Sequence, residues 1–299
     1  MTDRSLGAPV VLGANTLPVI SQNFQPGITE GPVRDSGLPF AQGRTTPSKQ
    51  PVFEFTTYYA SARAALSSFR LVEFTTLEWY ERDVTASGAA STTGNKNELA
   101  VGCRAMAHIA SVQEGPNGTI VATISCRIIS SGAHDGISPV IVKTAAQTVP
   151  TLSAEPTLHV RGPIEIGGSA VPGVTSFSFD TGNRIIAVEP TDGMTYARAV
   201  IDDGGERQFS IGTEGVKGTV AAIGLEGLDI GSGSALVIKL REIDINGNAK
   251  ASGVSFTVAD GRASVQTNGE TGQQSRATIM VMPVNPGRNF DDSVAVGTW

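Results

Sequence analysis

"ASVQEGPNGTIVATI" runs from Ala110 to Ile124, and "ASVQTNGETGQQSRATI" runs from Ala263 to Ile279. Each reads as an alternating strand, a turn near Asn-Gly (Asn117-Gly118 and Asn268-Gly269) and a returning strand. Asn and Gly both tolerate the positive φ that tight hairpin turns require. One hairpin written twice, about half a chain apart, points to a duplicated β-rich protein.

The match extends in both directions. "SGLPFAQ" (Ser36 to Gln42) falls on "DGMTYAR" (Asp192 to Arg198), and "VFEF" (Val52 to Phe55) falls on "QFSI" (Gln208 to Ile211), both at an offset of 156. "ERDV" (Glu81 to Val84) falls on "EIDI" (Glu242 to Ile245) at 161, ASVQ repeats at 153 and ATI at 155. "GANTLP" from Gly13 resembles "GGSAVP" from Gly167. The matches are collinear, and their small drift is what loop insertions would produce. The two modules are expected at about Leu12 to Ile129 and Ile166 to Val284. With their flanking segments the chain divides into 1–135, a Ser-, Pro- and Ala-rich linker over 136–160, and 161–299. The last segment ends in "NPGRNFDDSVAVGTW", read as an exposed arm that packs on a neighbour.

Composition agrees with β structure. Only 17% of the 299 residues are charged, while Gly numbers 35 and Pro 16, so chain breakers replace the runs that helical bundles need. "VTSFSFD" places Phe177 and Phe179 opposite Ser176 and Ser178, and Asn246-Gly247 after "REIDI" suits a two-residue type I′ turn. Two segments break the alternation at equivalent places. "YYASARAALSSF" (Tyr58 to Phe69) and "GVKGTVAAIGLEGL" (Gly215 to Leu228) carry apolar residues at helical spacing, predicting one short helix per module. The fold class expected is mainly β: two tandem β-sandwich or partly closed barrel modules, each with one flanking helix.

A net charge of −6 argues against a basic nucleic-acid-binding surface, and suits a surface that nucleic acid passes without sticking. No apolar run reaches the ~18 residues of a membrane span, and the N-terminal sequence does not read as a signal peptide, so the chain is expected to fold in a reducing cytoplasm without membrane insertion.

Sequence reading finds no catalytic constellation. Cys103 falls on Phe256 and Cys126 on Val281 between the modules, so both cysteines read as small core hydrophobes. His108, His134 and His159 lack ligand spacing to them, and His134-Asp135 sits in a Gly/Ser-rich turn. "GTEGVKGT" around Lys217 fails the phosphate-loop spacing, and "DINGN" from Asp244 lacks the later ligands of a calcium loop. Asp202-Asp203 and Asp291-Asp292 are adjacent and read as solvated loop charges. The expectation is therefore no enzyme, no cofactor and no metal, in a component that assembles.

The run "IGGSAVPGVTSFSFDTGNRIIAVEPTDGMTYARAVID", followed by the Ala-containing helix, "LVIKLREIDINGNAKASGVSFTVADGRASVQ" and "ATIMVMPV", resembles the tail-tube proteins of long-tailed bacteriophages. The likeness covers most of module 2 and, more faintly, module 1. It implies a ring whose inner strands line a channel and whose stacking makes a tube for DNA delivery. Two modules per chain imply trimers with pseudo-sixfold symmetry, other tail proteins as partners, and a place in the virion after assembly in the host cytoplasm. An acidic lumen, with more Asp and Glu than Lys and Arg, would repel phosphates. The connection Thr85 to Ala100, longer than its counterpart, is the candidate inter-ring contact loop, with Ser87, Asn95 and Asn97 as its residues. The alternatives are a double jelly-roll capsid protein, another distal-tail or neck ring component, a secreted carbohydrate-binding sandwich and, last, a hydrolase.

Overall fold

The computed structural model describes residues 6–33, 43–84, 90–99, 104–130, 139–188, 196–197, 199–224, 226–231, 233–244, 246–268, 276–284 and 293–299. The first half contributes β1 (Leu6–Gly7), β2 (Val10–Leu12), β3 (Asn15–Leu17), β4 (Ser21–Gln25), β5 (Ile28–Val33), β6 (Gly43–Lys49) and β7 (Val52–Tyr58). Helix α1 (Tyr59–Ala65) follows, then β8 (Val72–Phe74), β9 (Leu77–Val84), β10 (Ala90–Leu99), β11 (Arg104–Glu114), β12 (Ile120–Ile129) and β13 (Val140–Thr148). The second half runs β14 (Leu158–Ile166), β15 (Ser169–Ala170), β16 (Val174–Asp180), β17 (Ile185–Val188), β18 (Ala199–Asp202) and β19 (Gln208–Glu214). After helix α2 (Val216–Ile223) come β20 (Leu228–Ile230), β21 (Leu236–Ile243), β22 (Ala249–Val258), β23 (Gly261–Asn268), β24 (Arg276–Pro283) and β25 (Ala295–Thr298).

Strands β2 to β13 and β14 to β25 pair in the same pattern. One antiparallel path is β4-β7-β12-β11 with β8 beside β11, and its counterpart is β16-β19-β24-β23-β20. The other is β13-β10-β9-β2-β3, matched by β25-β22-β21-β14-β15. A two-stranded ribbon, β5-β6 or β17-β18, follows β4 or β16, the first strand of the first path, each time. The modules are sandwiches: Phe53 on β7 stacks on Trp79 on β9 at 4.4 Å, and Phe256 on β22 packs 6.2 Å from Phe209 on β19. No sheet closes into a barrel among the described residues.

Strand pairing also corrects the alignment. Phe53 faces Cys126 and Phe209 faces Val281, so these strands correspond as the sequence suggests. Ala107 then faces Cys126 where Ala263 faces Val281, and Ile109 faces Ile124 where Val265 faces Ile279. Hence "ASV" at Ala263 sits structurally on Ala107-His108-Ile109, not on "ASV" at Ala110. A bulge at Ala110, between the paired Ile109 and Ser111, absorbs one residue of the difference.

Three further expectations fall. The linker contains a nine-residue strand, because β13 pairs with β10 from Val140 to Thr148. The C-terminal arm is its counterpart: β25 pairs with β22 of the same chain, and the Trp299 indole donates to the Leu240 carbonyl at 3.2 Å. The Asn246-Gly247 turn is not type I′, since only Gly247 has positive φ, at 82°. There Gly247 N–H donates to Asp244 O at 2.9 Å while the Asp244 carboxylate accepts from the Asn246 and Asn248 N–H groups. The result is a turn closed by a left-handed glycine and capped by the Asp244 side chain.

Gly27 and Gly182 mark the necks of the two ribbons, with φ of 58° and 66°. A Cβ at Gly27 would stand 1.9 Å from the Gln50 carbonyl oxygen, and one at Gly182 would stand 2.2 Å from that of Glu206. The chain thus needs glycine there both for its left-handed conformation and for the close approach of the returning strand.

Candidate assembly surfaces

The two modules meet by continuing one sheet. Ser111, Val112 and Gln113 of β11 pair with Asp180, Phe179 and Ser178 of β16, so the paths that contain β4 and β16 fuse into a single ten-stranded sheet. The Ala110 bulge exposes two carbonyls at this seam, and Thr181 meets both: its hydroxyl lies 2.9 Å from Ile109 O and 2.8 Å from Ala110 O. Arg161 spans the seam, donating to Glu114 Oε1 at 2.5 Å and to Val174 O at 2.7 Å. This ion pair is about three-quarters buried on both sides, which makes it worth more than an exposed pair.

Aromatic rings reinforce the joint. Phe69, just beyond α1, packs edge-on to Phe179 at 5.1 Å and stacks 6.3 Å from Phe256, while Tyr59 lies 5.5 Å from Phe256. Asn183 Nδ2 donates to the Phe69 carbonyl at 2.8 Å, and the Arg207 guanidinium lies over the Phe69 ring. One hydrophobic core therefore runs through both modules. The β17-β18 ribbon also leans back onto the first module. Ile185, Ala187, Ala197 and Val200 cover Pro51, Ile128 and Ile129 there, and Ser130 N–H donates to Ala197 O at 2.9 Å.

Among the described residues the equivalent surfaces at the two ends have no such cover. Among the described residues no strand pairs with β23 over Ser264–Asn268 or with the outer edge of β4. Phe24 corresponds to Phe179, because they face Phe53 and Phe209, yet Phe24 is 38% exposed and Phe179 fully buried. Val284 corresponds to Ile129 and is 51% exposed against 2%; Met282, beside it, is 44% exposed. Sequence reading missed these residues. Their signal was the apolar "MPV" at the end of module 2, which repetition alone cannot mark as covered or bare.

The expected contact loop is mostly not a loop. Ser87 lies outside the described residues. Asn95 and Asn97 sit in β10, whose backbone pairs with Glu81 and Trp79 of β9 and, at Asn97, with Val142 of β13. A deletion of Ser87 to Asn95 would remove more than half of an internal strand and so would not isolate a stacking role.

The remaining candidates are dispersed. Cys126 is fully buried, and burial holds its thiol far above the ordinary range; Cys103 and His134 lie outside the described residues. Among the described residues no three His, Cys, Asp or Glu side chains cluster as metal ligands would. No described helix is long and apolar enough to cross a membrane. His159 is buried beside Tyr59, its pKa lowered by desolvation against the opposing pull of Glu242.

His108 is buried, its Nδ1 has no hydrogen-bond partner, and burial followed by the nearby Arg127 charge lowers its pKa to about 4. A depressed folded pKa means that protonation is disfavoured in the fold. Stability should therefore be full above about pH 6.5 and decline as pH falls towards 4, by roughly 3 kcal/mol for this group. Urea unfolding of the chain and of His108→Asn between pH 7.5 and 4.5 checks this, with the variant expected to show the flatter dependence.

No protein-family model matches the chain, and no curated protein is significantly similar to it.

Proposed function

We propose that the chain is a structural, non-catalytic subunit of a long-tailed bacteriophage tail, in which copies join into rings and the rings stack into a tube for genome delivery. The observation that carries the reading is the fused sheet: two like modules are joined edge to edge inside the chain, and among the described residues no strand covers the two matching edges at its ends. Such a head-to-tail arrangement can repeat, and it closes into a ring if the rotation between modules allows. Closure would also remove edges that otherwise template aggregation.

The face of the ten-stranded sheet that points away from the core suits the wall of a channel in its exposed part, while His108, Val121, Ser125 and Ile129 of the first module lie buried on that same face. It carries Glu54, Glu73, Asp180, Glu214 and Asp229 against Arg104, Arg127, Arg262 and Arg276, assigned from the alternation along each strand. The acidic excess expected of a lumen is thus a single charge among the described residues. Hydroxyl and amide groups, such as Ser111, Gln113, Ser178, Ser210 and Gln266, fill much of the remainder. Such a wall offers a polyanion little to bind.

Negative-stain imaging of the purified protein tests the reading. Hollow tubes or rings of uniform diameter are expected. Closed shells would replace it with a capsid, and monomers at all concentrations would remove it.

A further inference from the structure

We infer that β23 of one copy pairs antiparallel with β4 of the next, in the register that β11 and β16 already show within the chain. The inference deepens the ring reading and rests on it. Strand correspondence fixes the register. Val112 faces Ala122 and Thr267 faces Ala277, and these partner positions are equivalent, so Thr267 holds the place of Val112. Phe24 holds the place of Phe179. The intramolecular pair Val112–Phe179 therefore becomes Thr267 opposite Phe24 of a second copy, and Ser111–Asp180 becomes Gln266 opposite Gln25.

Three observations single out a second copy as the occupant. First, Thr267 and Gln266 are exposed on an edge that no strand pairs with among the described residues, although their counterparts Val112 and Ser111 are covered by β16. Second, bare apolar surface is found where the internal joint is sealed. Phe24 is 38% exposed, leaning on Trp79 at 5.3 Å, and its equivalent is fully buried against Phe69. Third, the bare region extends past the strand edge to the ribbon seat. Met282, Pro283 and Val284 stand where Arg127, Ile128 and Ile129 receive β17-β18, so they are placed to receive β5-β6 of the same second copy. Ile28, at the start of β5, is 50% exposed. Both halves of the contact lie on surfaces that correspond, element by element, to an interface the chain already makes with itself.

Pairing also specifies what should not meet. Side chains alternate across a strand, so a one-residue slip turns each to the opposite face. Thr267 and Phe24 lie on the core side of their strands, whereas Asn23 lies on the open side beside Glu54. Residues directly opposite in an antiparallel pair have Cα atoms about 4.5–5.5 Å apart, within the ~4.4–6.8 Å a disulfide spans.

The test is disulfide trapping in full-length chain carrying Cys103→Ser and Cys126→Val, the latter taking the residue of its counterpart Val281. Thr267→Cys with Phe24→Cys should give, on a non-reducing gel after mild oxidation, a ladder of covalent oligomers that collapses on reduction. Either substitution alone, or Thr267→Cys with Asn23→Cys, should remain monomeric on the gel. Trapping by the Asn23 pair instead would overturn the register, and dimers from Thr267→Cys alone would overturn the head-to-tail arrangement. Rings visible by negative stain without trapping would overturn this junction and leave the ring reading standing. Particles absent by imaging, with no trapping, would remove both.

Discussion

Phe256→Ala should lower the unfolding free energy by about 3–5 kcal/mol, and should do so for both modules at once. The residue is fully buried on β22, and Phe177, Phe179 and Phe209 surround it from the facing sheet at centroid distances of 5.8–6.2 Å. Tyr59 and Phe69 of the first module complete the cluster. Truncation removes apolar area and leaves a hole that strands held in register on both sides cannot collapse to fill. The expected loss is a large part of the ~5–15 kcal/mol that typically holds a domain. Trp79 reports on the first module and Trp299 on the second, so Trp299→Phe and Trp79→Phe backgrounds separate their fluorescence. Coincident urea midpoints that shift together on Phe256→Ala are expected. A shift confined to Trp299 would show that the modules unfold independently despite their shared core.

Gly182→Ala should be strongly destabilising, and Gly204→Ala is its matched control. Both glycines have positive φ, 66° and 77°, so each alanine costs about 1–2 kcal/mol in left-handed backbone. They differ in surroundings. A Cβ at Gly204 meets nothing within 4 Å, whereas one at Gly182 meets Glu206 O at 2.2 Å and must push two backbone segments apart. That neck holds β17-β18 against Pro51 and Ile128 and positions Thr181 over the Ala110 bulge. Gly182→Ala is expected to cost more than about 3 kcal/mol and to expose the ribbon to protease, with Gly204→Ala keeping near-native resistance. Equal effects at both positions would mean that conformation alone, and not crowding, accounts for the glycine.

The elements with strong local signals were legible in the sequence. Phe177 and Phe179 alternate with serines and are buried, the two hairpins form, and a short helix follows both β7 and β19. What the sequence hid was held by distant partners. "ASTTGNKNEL" has the Gly, Asn and Lys content of a loop, yet β9 on one side and β13 on the other supply the hydrogen bonds that make it β10. The "VIVKTAAQT" of β13 lies in a Ser-, Pro- and Ala-rich stretch that reads as linker, and its counterpart β25, with only four residues and little likeness to it, gives no repeat signal to correct this. The repeated ASVQ misled by two or three residues, since a bulge changes register without leaving a local mark. The joint between modules was invisible for a similar reason. Thr181, Arg161 and Phe69 are ordinary residues until β11 and β16 come side by side.

The covalent link between the two modules has a consequence for dilution. An interface between separate molecules dissolves once their concentration falls below its dissociation constant. The β11–β16 seam has a partner at fixed effective concentration, set by the few residues that join β13 to β14, and so persists at any dilution. In a ring built from such chains, every second seam would be of this kind. Half of the joints would then escape the entropic cost of bringing free molecules together, and the chain would begin assembly with its smallest, least favourable intermediate already made.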